Sequence, residues 1–211
     1  MRKEKTDWDK YYHSKKSIIS SFTQKFTLNE ICNAIQKHID SSFEILECGG
    51  GRSCFANDIC RFFPEVETYD IIDNNMYAVS LFKEMLLDVS HEGMCKDLLK
   101  EIVVSKQYDF VYSIGLIEHF SNDDRKRVIN THLNLCKPGG IVFISFPTPT
   151  LKYRAIRKFM ELIGVWQFWD ETPLSEEMVR PIIEEKAKIL ECKINRKLPL
   201  SQMIIIARRY D

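Results

Sequence analysis

The sequence has no excess charge of either sign, no long apolar run and no paired cysteine motif. Lysine and arginine number 30, as do aspartate and glutamate, so the formal net charge is zero. A neutral chain has no general attraction to nucleic acid or to an anionic membrane surface. No segment approaches the roughly 20 apolar residues of a membrane span, and residues 1–7 lack the apolar stretch of a signal peptide. These absences predict a cytoplasmic protein for which membrane and nucleic acid are not the partners.

Cysteine occurs seven times, yet no two cysteines have the CxxC spacing of a zinc or redox site. Buried, reduced thiols are therefore expected rather than disulfides or a zinc site. The cysteines that fall within apolar patterns are those at 32, 48, 54, 60 and 136. The sequence also has no internal repeat, low-complexity tract or domain linker, so its 211 residues are interpreted as a single domain.

Glycine is scarce, with eight residues, but three of them are consecutive at Gly49–Gly51. An apolar run before them ends at Glu47, and apolar residues recur at helical spacing from Phe55 onward. The pattern predicts a strand, a tight glycine turn and a helix. Glycine allows positive φ and lets a ligand lie directly on the backbone, and the free N–H groups at the start of the helix attract an anion. The alternative is a glycine-rich turn that binds nothing.

Strand-like and helix-like segments alternate through the middle of the chain. The predicted segments are strands at 66–72, 93–99 (or an extended loop), 108–114 and 141–146 and helices at 76–89 and 121–136. This alternation predicts an α/β fold with a doubly wound, mostly parallel sheet and right-handed crossovers.

Helical segments precede and follow this core. Residues 17–39 have apolar positions at helical spacing, and Thr27 with Glu30 predicts a capping box for a second helical segment. Beyond residue 150 the predicted segments are helices at 153–163 and 175–190 and closing strands at 191–198 and 202–207. The domain is accordingly divided into four parts. They are a helical N-terminal cap (1–42), a cofactor-binding core (43–146), a helical insertion on the substrate side (147–190) and closing strands (191–211).

Two acidic residues follow the glycine turn at the spacing of neighbouring strands. Asp70 lies near the end of the second predicted strand, where a carboxylate can accept hydrogen bonds from both hydroxyls of a ribose. A turn-forming or helix-capping aspartate is the alternative, with Asp73 better placed for the capping role. Asp97, just beyond the third strand, can accept a hydrogen bond from an adenine amino group with Leu98 against the ring, or can be an ordinary surface residue.

The buried strand predicted at 108–114 leads into a loop that contains Glu118 and His119. This loop falls at the carboxyl edge of the sheet, where ligands of open α/β sheets bind, so His119 is predicted to lie over the pocket. An imidazole that titrates near neutral pH suits a general base. The alternative is a histidine that hydrogen-bonds a neighbouring backbone group, with Glu118 orienting the loop.

Five segments across residues 43–146 follow one another in a recognisable order and spacing. They are Ile45–Gly51, Tyr69-Asp70, Cys95–Leu98, Tyr108–Val111 continuing to Glu118-His119, and Leu135–Gly140. The set resembles class I, Rossmann-like S-adenosylmethionine-dependent methyltransferases that act on small molecules. The resemblance implies a seven-stranded sheet with an antiparallel last strand, so that residues 203–207 insert beside the strand at 191–198. It also implies S-adenosylmethionine as the cofactor and in-line displacement of its methyl group by a small-molecule acceptor.

The resemblance implies a role for each motif. In that family the glycine turn lies against the methionine part of the cofactor, the acid of the second strand holds the ribose and the third-strand acid meets the adenine. The implied cofactor contacts are Glu47, Gly49, Gly50, Gly51, Asp70, Ile71, Asp97, Leu98 and Ser113, the last lining the floor of the site. The arm at Trp8–Tyr12 is similar to N-terminal segments that close over cofactor and substrate.

The sequence departs from the family pattern at two positions. Ser53 stands where many members have a third glycine, so a less open turn is expected there. Some relatives carry Glu-x-x-Glu-His as a metal site, but Gly115 occupies the first of these positions. We therefore expect no metal.

The acceptor is expected to contact the N-terminal arm and the helical insertion, since these lie outside the matching motifs. Tyr11, Tyr12, Tyr153 and Trp166 are predicted to stack on a planar or apolar acceptor. The alternative for Trp166 is that it seals the two helices against the sheet. The attacked atom and the oligomeric state stay open.

Three other functions share part of this pattern. An NAD(P)-dependent Rossmann oxidoreductase uses the same strand, turn and acid, but Cys54 occupies the position of the third glycine of its fingerprint. An RNA or other nucleic-acid methyltransferase has no support from the neutral net charge. A degenerate domain that serves as a scaffold is disfavoured by the intact glycine turn and by Asp70.

Overall fold

The structure is a computed structural model that describes residues 6–13, 18–100, 102, 106–197 and 200–211, without the side chains of residues 18–22. Its helices are α1 (Trp8–His13), α2 (Ile18–His38), α3 (Ala56–Phe62), α4 (Met76–Lys83), a 3-10 helix (Ile117–His119), α5 (Asn122–Leu135), α6 (Leu151–Leu162) and α7 (Glu176–Glu184). Its strands are β1 (Phe43–Cys48), β2 (Val66–Asp73), β3 (Gly93–Cys95), β4 (Tyr108–Ile114), β5 (Cys136–Pro147), β6 (Ala187–Asn195) and β7 (Gln202–Arg209).

The strands form one seven-stranded sheet in the order β3-β2-β1-β4-β5-β7-β6. Strands β1 to β5 pair in parallel. Strand β7 runs antiparallel to both β5 and β6, with Ile144 opposite Ile205. The predicted doubly wound sheet with an antiparallel strand inserted near its edge is therefore confirmed.

The sheet is buried on both faces because its central strands carry apolar residues at almost every position. Successive side chains of a strand point to opposite faces, so Leu46 and Val111 pack in one core with α5, and Ile45 and Phe110 pack in another with α2 and α3. Such strands have no solvent-facing side, which is typical of parallel sheets covered by helices. Polar groups at the carboxyl ends of β1, β2 and β4 are thereby left at one edge of the sheet.

Helix α2 is one continuous helix rather than two segments. The capping box predicted at Thr27 and Glu30 does not form, since the Thr27 hydroxyl donates to the carbonyl of Thr23 within the helix. The predicted start at Ser17 and the predicted apolar contacts of Ile18 and Phe22 lie outside the described residues and side chains.

Two predicted helices are too long. Helix α4 ends at Lys83 rather than at residue 89, and Leu86 in the predicted extension is 95% exposed. Helix α7 ends at Glu184, because Ala187–Leu190 pair with β7 instead of continuing the helix. Pairing across the sheet thus overrides a local helical pattern.

Among the predicted buried cysteines, Cys54 is exposed. No helix in the described part of the chain is both long and apolar enough to cross a bilayer.

Candidate functional site

The glycine turn is bonded to the end of the neighbouring strand. The amide of Gly49 donates to the carbonyl of Ile72 at 2.7 Å, and the amide of Gly51 donates to Oδ2 of Asp73 at 2.8 Å. Both glycines have positive φ, 67° for Gly49 and 54° for Gly51, a conformation that other residues seldom adopt. The turn after β1 and the carboxylate that ends β2 therefore form one unit at the carboxyl edge of the sheet.

Ser53 closes this turn in a conformation that usually requires glycine. Its φ is 48°, and its Oγ accepts hydrogen bonds from the amides of Phe55 and Ala56. The turn therefore keeps the glycine-like backbone at Ser53 despite the side chain. The amides at the start of α3, predicted to attract an anion, are instead partly satisfied by the Ser53 hydroxyl.

Glu47 supports the turn from beneath. Its buried Oε2 accepts a 2.8 Å hydrogen bond from the hydroxyl of Tyr69, which also contacts the hydroxyl of Tyr112. A side chain at Gly50 would meet the Glu47 side chain at 2.9 Å. Burial raises the pKa of Glu47 to about 7, against the opposing effect of hydrogen bonds from Ser53, Tyr69 and Tyr112. Glu47 thus shapes the turn through a buried polar network.

Asp73, and not the predicted Asp70, is the acid beside the turn. Asp70 lies three residues before the end of β2 on the opposite face of the sheet, where its carboxylate accepts from Lys106, Tyr108 and the amide of Glu92. Asp70, predicted to hold the ribose, therefore lies away from the glycine turn, three residues before the end of the strand. Ile71, predicted beside it, is fully buried in the core and offers no surface to a ligand.

The remaining predicted cofactor residues lie near this edge with different exposures. Asp97 follows β3, and its Oδ1 accepts from the amide of Leu99. The amide of Lys96 donates to the carbonyl of Asp73, so the two strand ends are adjacent. Leu98 is buried in the core beside α5. The Ser113 hydroxyl, at the end of β4, is buried and has no hydrogen-bond partner in the described part of the structure.

Helix α1 lies directly over the turn. The Tyr12 ring occupies the space into which a side chain at Gly51 would project, and it lies near the Asp73 carboxylate. Burial, reinforced by the nearby Asp73 carboxylate, raises the pKa of Tyr12 far above its usual range. A cavity of about 540 Å³ separates residues 6–9 of this arm from residues 74–77, which directly follow β2. The arm therefore packs on its own domain, and it leaves space beside the β2 terminus.

The other end of the arm reaches the loop after β4. The Trp8 ring lies 5.2 Å from the His119 ring and 6.0 Å from the Phe168 ring, measured between centroids. Nδ1 of His119 is 3.0 Å from Oδ1 of Asp170, which also accepts from Thr6. Burial lowers the pKa of His119, although Asp170 opposes the effect. His119 is thus a positioned, mainly neutral imidazole under an aromatic cover.

The residues predicted to stack on an acceptor differ in their exposure. Tyr11 is partly exposed and lies beside Trp8 and Phe168. Tyr153 and Trp166 are buried, and their polar atoms bond to Glu171 and to the carbonyl of Phe168 respectively. We therefore correct the assignment of Tyr153 and Trp166 from acceptor platforms to packing residues.

Two buried glutamates, Glu118 and Glu171, lie beside His119. Glu118 and Glu171 each offer a carboxylate oxygen to a set, completed by a ring nitrogen of His119, whose members lie within 4.8 Å of one another. Burial and the nearby Glu171 raise the pKa of Glu118 well above its usual range. Asp170 and Glu171 were not predicted from the sequence to lie at this site. The only signal available was two consecutive acids after an aromatic loop, which carries no information about a contact across some fifty positions.

Comparisons with known proteins agree with this architecture. A profile of the methyltransferase-domain family matches residues 20–178. Ubiquinone biosynthesis O-methyltransferase of Agrobacterium fabrum (strain C58) is 24% identical over 153 residues, which are 69% of this chain and 60% of that protein. The chain thus spans less than two thirds of the length of this relative.

Two solved structures share the fold at low identity. Magnesium protoporphyrin IX methyltransferase of Synechocystis PCC 6803, with S-adenosylhomocysteine bound, is 14% identical with a TM-score of 0.74, covering 96% of this chain and 92% of that one. The N-methyltransferase NodS of Bradyrhizobium japonicum WM9 is 11% identical with a TM-score of 0.64, covering 89% and 87%. Since the family profile spans about three quarters of the chain, the chain belongs to the methyltransferase-domain family.

Proposed function

We propose that the enzyme transfers the methyl group of S-adenosylmethionine to a hydroxyl oxygen of a small, apolar or aromatic acceptor. The main support for the proposed cofactor is the contact between Gly51 and Asp73 at the edge of the sheet. The proposed aromatic or apolar acceptor is supported by the rings of Trp8 and Phe168, which lie against His119. Oxygen as the attacked atom is supported by the curated relative, which is named as an O-methyltransferase.

The residues that hold the cofactor are proposed from their positions around the turn. The backbone of Gly49–Gly51 receives the methionine part, because it has no side chain to obstruct close approach. Asp73, rather than Asp70, accepts from the ribose hydroxyls, since it lies at the end of β2 beside the turn. Asp97 and Leu98 lie one strand further and are proposed to meet the adenine. The cavity beside residues 74–77 lies next to Asp73.

The contribution of the protein to the reaction is alignment and exclusion of water. S-adenosylmethionine supplies a methyl group that is already activated by its sulfonium. Alignment of two reactants can supply roughly 7–11 kcal/mol of a barrier. Trp8 and Tyr12 lie on one helix that reaches from His119 to Gly51, so α1 is proposed to hold both substrates in register and to keep water out.

His119 remains the predicted general base. Because Asp170 engages Nδ1, Nε2 is the nitrogen left with a lone pair for the acceptor. Its neighbours Trp8 and Phe168 suit a planar acceptor.

The experiment is a panel assay that measures S-adenosylhomocysteine release and therefore does not depend on the acceptor chosen. Small phenols and catechols, matched anilines and thiophenols, and short RNA are offered with S-adenosylmethionine. Turnover with the hydroxyl compounds, and little with the matched amines, supports the proposal. Faster turnover with RNA or with the amines overturns the acceptor assignment.

A further inference from the structure

We infer that Glu118, His119 and Glu171 form a binding site for one divalent metal ion at the acceptor end of the active site. One potential ligand atom from each residue lies within 4.8 Å of the other two. That separation lets a single cation of ordinary ligand distance, about 2.0–2.2 Å, bind all three after small side-chain adjustments. The sequence pattern predicts no metal, because Gly115 replaces a carboxylate. Glu171, from a distant segment, supplies a carboxylate that the sequence pattern could not locate.

The first observation behind this site is an unpartnered buried oxygen. Glu118 is only 2% exposed, and its Oε2 has no hydrogen-bond partner among the described residues. A buried polar group without a partner is unfavourable, and a carboxylate more so. Since Glu171 is buried close by, a positive charge between the two would give Oε2 of Glu118 a partner.

The second observation is that no described cation bonds directly to the buried Oε2 of Glu118. Arg125, the cation nearest to Glu118 in sequence, donates through Nε and Nη2 to the carbonyls of Ile117 and Phe120, so it attracts Glu118 only through space. Arg157 is paired with Glu171 at 3.5 Å and is shared with Glu161. A divalent ion would supply a directly bonded positive charge to Glu118.

The third observation is that the potential ligands are held by neighbouring groups. Glu118 and His119 belong to one 3-10 helix, and the amide of Thr172 donates to the Glu118 carbonyl at 3.0 Å, which fixes Glu171 beside it. Asp170 engages Nδ1 of His119, and the Tyr153 hydroxyl donates to Glu171. A histidine ligand typically donates its other ring N–H to such a carboxylate.

The ligand set selects the kind of metal. Two carboxylates and one imidazole suit first-row divalent ions such as Mn²⁺ and Zn²⁺, whereas Mg²⁺ and Ca²⁺ favour oxygen ligands alone. Three protein ligands leave a coordination position open.

This inference deepens the proposed function and rests on it only for the role of the metal. Leu116, two residues before Glu118, packs against Gly49 of the turn, so the ion would lie next to the cofactor site. An acceptor hydroxyl bound at the open position loses its proton more readily to solvent. With the ion bound, His119 is a ligand and cannot also accept the acceptor proton, so the ion replaces the general base of the proposed function and leaves its cofactor and acceptor unchanged.

The test is a titration of the purified, chelator-treated enzyme with MnCl₂, followed by electron paramagnetic resonance, with ZnCl₂ as competitor. We expect one bound Mn²⁺ per chain, displaced by Zn²⁺, with a nitrogen coupling from a coordinated imidazole in the pulsed spectrum. Glu118→Gln and Glu171→Gln are each expected to weaken Mn²⁺ binding at least tenfold. The control Glu84→Gln, at an exposed acid that follows α4, should bind as the wild type does.

Several results would overturn the site. They are no binding by the wild type below 1 mM, binding without nitrogen coupling, or Mn²⁺ binding by both glutamine variants that is as tight as that of the wild type. Binding of S-adenosylhomocysteine, measured calorimetrically in the same samples, confirms that each variant is folded and tests the cofactor assignment separately. An enzyme that binds S-adenosylhomocysteine but not Mn²⁺ contradicts the metal site and leaves the proposed function intact.

Discussion

The amide of Gly51 donates a 2.8 Å hydrogen bond to Oδ2 of Asp73. This bond joins the turn after β1 to the last residue of β2, and Tyr12 of the N-terminal arm packs against both residues. The second carboxylate oxygen of Asp73 accepts from the amide of Asn75 at the start of α4. Asp73 is therefore held rigidly at the edge of the sheet, as a residue that binds a small polar ligand must be.

Replacement of Gly51 by alanine should reduce both the stability of the protein and its cofactor affinity. The new methyl group would occupy the position of the Tyr12 ring, and φ of 54° disfavours any side chain. We expect about 1–2 kcal/mol less unfolding free energy and at least a tenfold loss of S-adenosylhomocysteine affinity. Urea unfolding and titration calorimetry measure the two effects.

Gly164→Ala is the matched control for this change. Gly164 has φ of 71°, but nothing lies within 4 Å of the added methyl group. It should show a similar loss of stability with unchanged cofactor affinity. Equal affinities for Gly51→Ala and Gly164→Ala would contradict the role of the turn.

Glu47 should make the protein less stable as the pH rises. Its pKa is about 7 in the folded protein against 4.5 ordinarily, because burial disfavours the charged form. Between pH 4.5 and 7 the folded state keeps a proton that the unfolded chain has released, so the unfolding free energy falls with rising pH, by about 3 kcal/mol in total.

Glu47→Gln removes this titration and should flatten the pH dependence. Urea unfolding at pH 5 and pH 8 gives the difference for each protein. The wild type should lose about 2–3 kcal/mol more than the variant between the two values, since part of the total loss falls below pH 5. Identical losses would show that Glu47 is already ionised at pH 5 in the folded protein.

Ser53 contributes both a helix cap and a strained backbone conformation. Ser53→Gly relieves the strain of φ at 48° but removes the Oγ that accepts from Phe55 and Ala56. Ser53→Ala keeps the strain and loses the cap. The alanine variant should therefore be less stable than the glycine variant by about 1 kcal/mol. Equal melting temperatures for the two variants would argue against the strained backbone.

The order of strands was predictable because their sequences are locally distinctive. β4 is mostly apolar and begins and ends at the predicted residues, and the run that ends at Glu47 is followed closely by the glycines. Helix ends were less predictable. The segment from Ala187 to Leu190 has helical spacing, yet its pairing with β7 determines its conformation, and such pairing depends on residues far along the chain.

Site residues were predictable where they depend on the sequence of a single strand. They were not predictable where they depend on the exact end of a strand or on contacts with distant segments. Asp70 and Asp73 both fit the end of an apolar run, and only the position at which β2 stops separates them. The neighbours of His119 come from a loop 51 residues away at Asp170. No local pattern encodes that contact, since it arises when the chain beyond α6 folds back over the loop after β4.

The most direct measurement of the central claim is the affinity of S-adenosylhomocysteine for Asp73→Asn and Asp70→Asn, determined by titration calorimetry. We expect Asp73→Asn to weaken binding at least tenfold. We expect Asp70→Asn, which disturbs only the contacts to Lys106, Tyr108 and the Glu92 amide, to lower stability and leave affinity unchanged. Loss of affinity in Asp70→Asn with none in Asp73→Asn would contradict the account.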